Sequence, residues 1–331
     1  MAWAVEDGRD QSEVAAAHSV SWPTVQRAVV AHGAVELGEP EPTAVLGMDE
    51  TRFGRPRWLP DGHYADGRIR WVRTDPWGTG CRRSPQAGLL GQVDGRTSAA
   101  VQAWLAQRSP AFREAVEVVV IDPHAGYAAA VRAALPDAMI AVDHLHLVML
   151  AKKAVTAVRQ RVTQDLLGRR GRKVDSTWAN RRLLLRGRER LSERVGADVE
   201  RMRRPRSDRA RSCRRGSRRR NSARSVRRAV SGGHRADIGR RLWAFYRWCP
   251  DADIPELTTL AETIETWWPA IEVFLTTGLT NARTEGTNRL IKQVKRAACG
   301  FRNRDNYRRR VRLHCTRRTR RLSARKPTVP A

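Results

Sequence analysis

Residues 116–135 read VEVVVIDPHAGYAAAVRAAL. A β-branched run stops at Asp122, Pro123 follows, and Ala-rich helical spacing takes over from Ala125. The apolar run is continuous rather than alternating, which predicts a central strand covered on both faces. Such a strand ends in an acid and hands over to a helix, as in a mixed α/β sheet.

Upstream, TAVLGMDETRF (43–53) is a second buried-strand run ending in two carboxylates, Asp49 and Glu50. IRWVRTD (69–75) and AGLLGQVDGRT (87–97) read as two more strands, the latter closing in an Asp-Gly turn. These predict a three-stranded antiparallel meander. SAAVQAWLAQ (98–107) is helical, AMIAV (138–142) is another short buried strand, and DHLHLVMLAKKAVTAVRQRV (143–162) opens a long helix. Three antiparallel strands followed by parallel additions with helices give a mixed α/β sheet. Its first part is expected at 44–143. A helical, basic insertion is expected over 144–275, a return to the core over 276–316, and a basic tail over 317–331.

Asp49 and Asp122 each close an apolar run, and adjacent strand ends can bring two carboxylates to one hard cation. Mg²⁺ prefers a few carboxylates and keeps water for substrate phosphate, so a third acid from a helix completes such a site. Glu285, in GLTNARTEGTNRLIKQVKR (278–296), falls near the start of a strongly basic helix. Asn288 and Lys292 follow it by helical spacing on the same face, and Lys295 and Arg296 extend the basic surface toward phosphate. Two cations held by the three acids would activate water or a DNA 3′ hydroxyl and stabilise the leaving oxygen. Strand-end aspartates also serve as helix caps, so spacing alone leaves both readings open. His124, Asp143 and His146 are auxiliary candidates with the same structural alternative. Glu50 points to the opposite strand face and supports the site from outside.

At the other end, QSEVAAAHSVSWPTVQRAVVAH (11–32) reads as two helices about a turn at Ser19–Ser21, the second opened by Ser21 with Pro23 in its first turn. In a helix-turn-helix, Trp22, Thr24, Gln26 and Arg27 would face the major groove; a plain helical hairpin is the alternative. The segment is assigned to 1–34. GAVELGEPEPTAV (33–45) breaks the pattern, and 35–43 is expected to be a linker.

With 63 Lys+Arg against 34 Asp+Glu, the net charge is +29 and the pI about 11.5, which selects a polyanionic partner. Arg outnumbers Lys, favouring nucleic acid over a membrane surface. No stretch approaches a membrane span and no signal peptide is evident, so a cytoplasmic protein is expected. The five cysteines are scattered, without a CxxC pair, and read as ordinary thiols. Between 202 and 228 about half the residues are Arg; a DNA-clamping arm, a solvated disordered loop and a reading-frame slip all remain open. Trp243, Phe245, Tyr246, Trp248, Trp267 and Trp268 read as core aromatics.

VLGMDE, VVVIDPHAGY, and TTGLTNARTEGTNRLIKQVKR followed by GFRNRDNYRRRVRLHC resemble the three blocks of DDE transposases of the ISL-three insertion-sequence family, over about 43–316. The last block is the most specific. The resemblance implies an RNase H-like fold with a helical insertion, and catalytic acids at Asp49, Asp122 and Glu285. It further implies Mg²⁺ or Mn²⁺ as cofactor, the terminal inverted repeats of an element and a target DNA as substrates, and a homo-oligomer assembled on DNA ends at the bacterial nucleoid. Family members usually open with a zinc-binding segment, whereas this chain starts almost inside the helical pair, so a truncated N-terminal segment is expected. An inactive relic that only binds DNA, a charge-driven nucleic-acid binder and a nuclease that cuts without joining are the competing readings.

Overall fold

The computed structural model describes residues 1–83, 88–186 and 235–323, with backbone alone at 144, 235, 282–285, 318–319 and 321–323. The Arg-rich run at 202–228 lies outside the described residues, as does Cys213. Two compact units emerge, Met1–Ala141 with Leu279–Ala331, and Val142–Gly278.

The first unit begins with helices α1 (Ala2–Glu6), α2 (Gln11–Ala17) and α3 (Trp22–Glu36). Asp10 caps α2 by accepting from the Ser12 and Glu13 amides, and Ser21 caps α3 with Pro23 in its first turn, as the sequence predicts for α3. Gly33 does not end α3, which runs on to Glu36 and shortens the expected linker. A Cβ at Gly33 would lie 2.7 Å from Arg309 Cδ, so that glycine serves a close approach rather than a turn.

Strands β1 (Val45–Arg52), β2 (Arg57–His63), β3 (Ile69–Thr74), β4 (Trp77–Arg83) and β5 (Leu89–Asp94) follow. Then come α4 (Ser98–Ala106), α5 (Pro110–Glu114), β6 (Val118–Ile121), α6 (Ala125–Ala134) and β7 (Met139–Val142). The main sheet has the order β5-β4-β1-β6-β7. β4 is antiparallel to β1 and β5, and β6 is parallel to β1. That order and those directions make the sheet RNase H-like. All four residues of β6 are buried, as its unbroken apolar run requires.

The expected meander needs correction. IRWVRTD is β3, but it pairs with β2 in a separate two-stranded ribbon, and the centre of the antiparallel half is WGTGCRR, β4. Two glycines, a cysteine and two arginines hide that strand from any propensity reading. Asp49 also does not end its strand, since β1 continues to Arg52.

Helices α12 (Ala282–Ala297) and α13 (Arg304–Ser323) close this unit. Ile291, Val294, Tyr307, Val311 and Cys315 form one core cluster with Leu89 of β5. Leu313 enters a second cluster with Val5, Val14, Val25 and Val29, so α13 completes the core of the N-terminal helices. The expected basic tail from 317 is, as far as Ser323, the end of this packed helix. Arg320 there pairs with Glu36 and with Glu6, whose carboxylate is fully buried and also meets His32 at 2.9 Å.

The second unit is helical among its described residues. α7 (His144–Leu167) ends at Gly168 (φ +63°), and α8 (Ser176–Ala179), α9 (Arg235–Ala252), α10 (Pro255–Thr266) and α11 (Trp268–Thr277) follow. LTTLAETIETWWPAIEVFL forms two helices, with Trp267 capping the end of α10 and Pro269 in the first turn of α11. Arg161 of α7 holds Glu256 of α10 through two bonds of 2.8 and 3.1 Å. Trp248 is buried beside Phe245, whereas Trp243 is 66% exposed and is not a core residue. No helix among the described residues is long and apolar enough to cross a membrane.

Candidate active site

Two of the expected acids lie near the ends of adjacent parallel strands. β1 and β6 run parallel with Gly47 opposite Val120; Asp49 lies on β1 two residues beyond that pair, and Asp122 directly follows Ile121, the last residue of β6. Both are half-buried.

Asp49 is held through both oxygens. Oδ1 accepts from the Glu50 amide at 2.7 Å, and Oδ2 accepts from Asn288 Nδ2 of α12. The amide orientation of Asn288 is fixed because its Oδ1 accepts from Arg82, a group that can only donate. Sequence reasoning placed Asn288 against DNA; its amide instead braces the acid.

Arg82 was not foreseen. It is 2% exposed on β4, on the same face as Gly80, which pairs with Asp49. A Cβ at Gly80 would stand 3.0 Å from the Arg82 guanidinium, so this glycine leaves room for the cation beside Asp49. Burial pulls the Arg82 pKa down from its ordinary range, and the Asp49 carboxylate pushes it back up.

Asn281, also unforeseen, is buried and donates to Met48 O at 3.1 Å, tying the N-cap of α12 to the residue before Asp49. Glu285 lies in the first turn of α12, and its side chain is outside the described residues. Further along α12, Lys292 and Arg296 are exposed. Lys295 Nζ lies over the Phe53 ring at 5.8 Å, and burial lowers its pKa.

The auxiliary candidates have structural work. His124 caps α6, its Nδ1 accepting from the Tyr127 amide at 3.3 Å. Asp143 caps α7 by accepting from the Leu145 amide at 3.3 Å, and the His146 amide donates to Asp143 O at 3.1 Å. Glu50 faces away from Asp49's partners and meets Arg96 at 3.2 Å. In the helical pair, Trp22 and Arg27 are exposed, Arg27 donates to Thr24 Oγ1 at 3.3 Å, and Gln26 accepts from Gln11 Nε2 at 2.7 Å.

Carboxylates such as Asp49 and Asp122 are hard oxygen donors and suit Mg²⁺ or Mn²⁺ far better than a soft metal. Among the described residues no group of three or more His, Cys, Asp or Glu gathers to hold a metal ion.

Against known proteins, the family model described as Transposase, for the ISL-three DDE type, matches residues 46–311. Among solved structures, the Drosophila P element transposase strand transfer complex is similar over 90% of this chain and 85% of that one, at 10% identity and a TM-score of 0.44. No curated protein matches.

Proposed function

The chain belongs to the ISL-three family of DDE transposases, and from that premise we propose that it cuts the ends of an insertion sequence and joins them to target DNA, with Asp49, Asp122 and Glu285 as its metal-binding acids. The observation that carries this reading is Asp49 on β1 braced by Asn288, itself held by the buried Arg82, with Asp122 directly after the end of the parallel neighbour strand β6. Asn281 and Asn288 both reach β1 from α12, and position 285 falls between them on the same helical stripe. When bound by these acids, Mg²⁺ or Mn²⁺ supplies Lewis acidity to the scissile phosphate and lowers the pKa of the attacking hydroxyl.

The chain's own groups do the rest. Asn288, itself held by Arg82, fixes the Asp49 rotamer before substrate arrives, so little reorganisation is left for the reaction. Lys292 and Arg296 present cations to the DNA backbone. Thr24 and Arg27, with Trp22, form the face of the helical pair that reads the terminal repeats; Gln26, engaged by Gln11, contributes less. A homo-oligomer that holds two DNA ends together, working at the bacterial nucleoid, completes the reading.

The test is a labelled duplex carrying a terminal repeat, incubated with the protein and Mg²⁺ or Mn²⁺, and scored for nicking and strand joining. Cleavage at the repeat end that vanishes in the Asp49→Ala, Asp122→Ala, Glu285→Ala triple variant while binding survives is the expected result. Binding without cleavage in the unaltered protein with either metal would leave a DNA-binding relic as the better description.

A further inference from the structure

The β2–β3 ribbon is exposed along its whole length. Register pairs Trp58 with Arg73 and Pro60 with Trp71, so Trp58, Pro60, Trp71 and Arg73 share one face. The two indoles are 63% and 53% exposed. Large aromatics so open on a two-stranded ribbon have no core to enter, and they mark a surface that meets something else.

We propose that this face is a stacking platform for unpaired bases of the DNA beside the cut phosphodiester; the inference rests on the transposase reading above. Charge selects the occupant. Asp61 and Asp66 in the ribbon are paired with Arg70 and Arg68, and Asp75 at its foot is paired with Arg52 at 3.0 Å and more loosely with Arg73 at 3.9 Å. Arg55 and Arg57 at its foot are exposed and meet no acid among the described residues, and Arg73 lies on the tryptophan face itself. An aromatic pair flanked by cations offers π-faces to bases and charge to phosphates, whereas a fully paired duplex shows only edges and backbone.

The ribbon is also held in place. The Phe53 amide donates to Pro76 O at 2.6 Å across its foot, and Arg52 lies over the Trp77 ring at 4.5 Å. At its tip the Tyr64 amide donates to Arg68 O at 2.8 Å, with Gly67 at φ +81° closing the turn. Trp58 follows Asp49 by nine residues, at most about 30 Å of extended chain. At about 3.4 Å per nucleotide, the unpaired bases lie within roughly nine nucleotides of the cut.

The full chain would be mixed, without divalent metal, with a duplex bearing a short single-stranded flank that carries 2-aminopurine, and with the same duplex fully paired. Stacking quenches the probe, and the flanked DNA is expected to bind more tightly. The Trp58→Ala, Trp71→Ala variant should lose the quench and roughly 10–100-fold in affinity for flanked DNA, keep its affinity for paired DNA, and be restored by Phe at both positions. An unchanged quench, or an equal loss on both DNAs, overturns the proposal. So does a fall in oligomeric state on sedimentation, which would make the ribbon a contact between copies. The Asp49→Ala, Asp122→Ala variant separates the two readings: if it still cuts DNA the catalytic assignment fails, while the quench judges the platform alone.

Discussion

Asn288→Ala removes the amide on Asp49 Oδ2 and takes from Arg82 its acceptor, leaving a buried cation less well satisfied. Groups that orient metal-binding acids typically contribute about 10–100-fold to metal affinity or activity. A fall of that size in metal-dependent cleavage is expected, with far-ultraviolet dichroism unchanged. Gly80→Ala should imitate it by crowding the Arg82 guanidinium. Asp49 and Asp122 stand out in the sequence as carboxylates next to apolar runs, and the structure places the first on β1 and the second directly after β6. Arg82 and Asn281 do not stand out, since nothing in WGTGCRR separates a buried arginine from a surface one until the pairing of β4 with β1 is known. A different residue sets a pH limit. Burial, and then Arg317 and Arg310, hold His314 below its ordinary range, partly offset by its bond to Glu6 O. The unfolded chain therefore takes up that proton first, and stability should fall as pH drops through about 6.5, the ordinary histidine value, levelling off below the folded value. Denaturant titrations of the parent and of His314→Gln would show this slope flattened in the variant.

β5 illustrates how an element depends on one missing side chain. A Cβ at Gly91 would stand 2.7 Å from the Trp104 indole of α4, a rigid ring rather than a flexible chain end. Gly91→Ala should cost about 1–3 kcal/mol through overpacking, seen as a lower denaturation midpoint. Gly33→Ala should cost less, because the Arg309 side chain it meets can swing away and alanine favours a helix. Elements with uniform local signals were readable: β6 from its buried run, α6 from its alanines, α3 from Ser21 and Pro23. Those that depend on distant partners were not. Alternation in IRWVRTD announces a strand but not which sheet receives it. The helical spacing around Trp267 and Trp268 continues across the break between α10 and α11.

Over the whole molecule, a charge of +29 makes DNA binding a matter of counter-ions. Affinity should fall by about 10³–10⁵ between 50 and 200 mM salt if roughly 6–10 phosphates are contacted, a slope that titration of a labelled duplex would measure. The first and last helices share one core, and Arg320→Ala would strand the buried Glu6 carboxylate with His32 alone. Breaking such a pair costs about 3–5 kcal/mol. Proteolysis should then open the N-terminal helices first, and adding Glu6→Gln should restore much of their protection. Fold class was legible from the order of strand and helix signals, but this closure was not, since about three hundred residues separate Val5 from Leu313. The same closure sets a timetable during synthesis. Translation at about 5–20 residues per second leaves α1–α3 waiting on the order of 15–60 s for α13 to emerge. A nascent chain can already hold β1 and β6, yet it cannot consolidate the helices proposed to read DNA until α13 has left the ribosome, so those helices remain open to proteolysis longer than the sheet does.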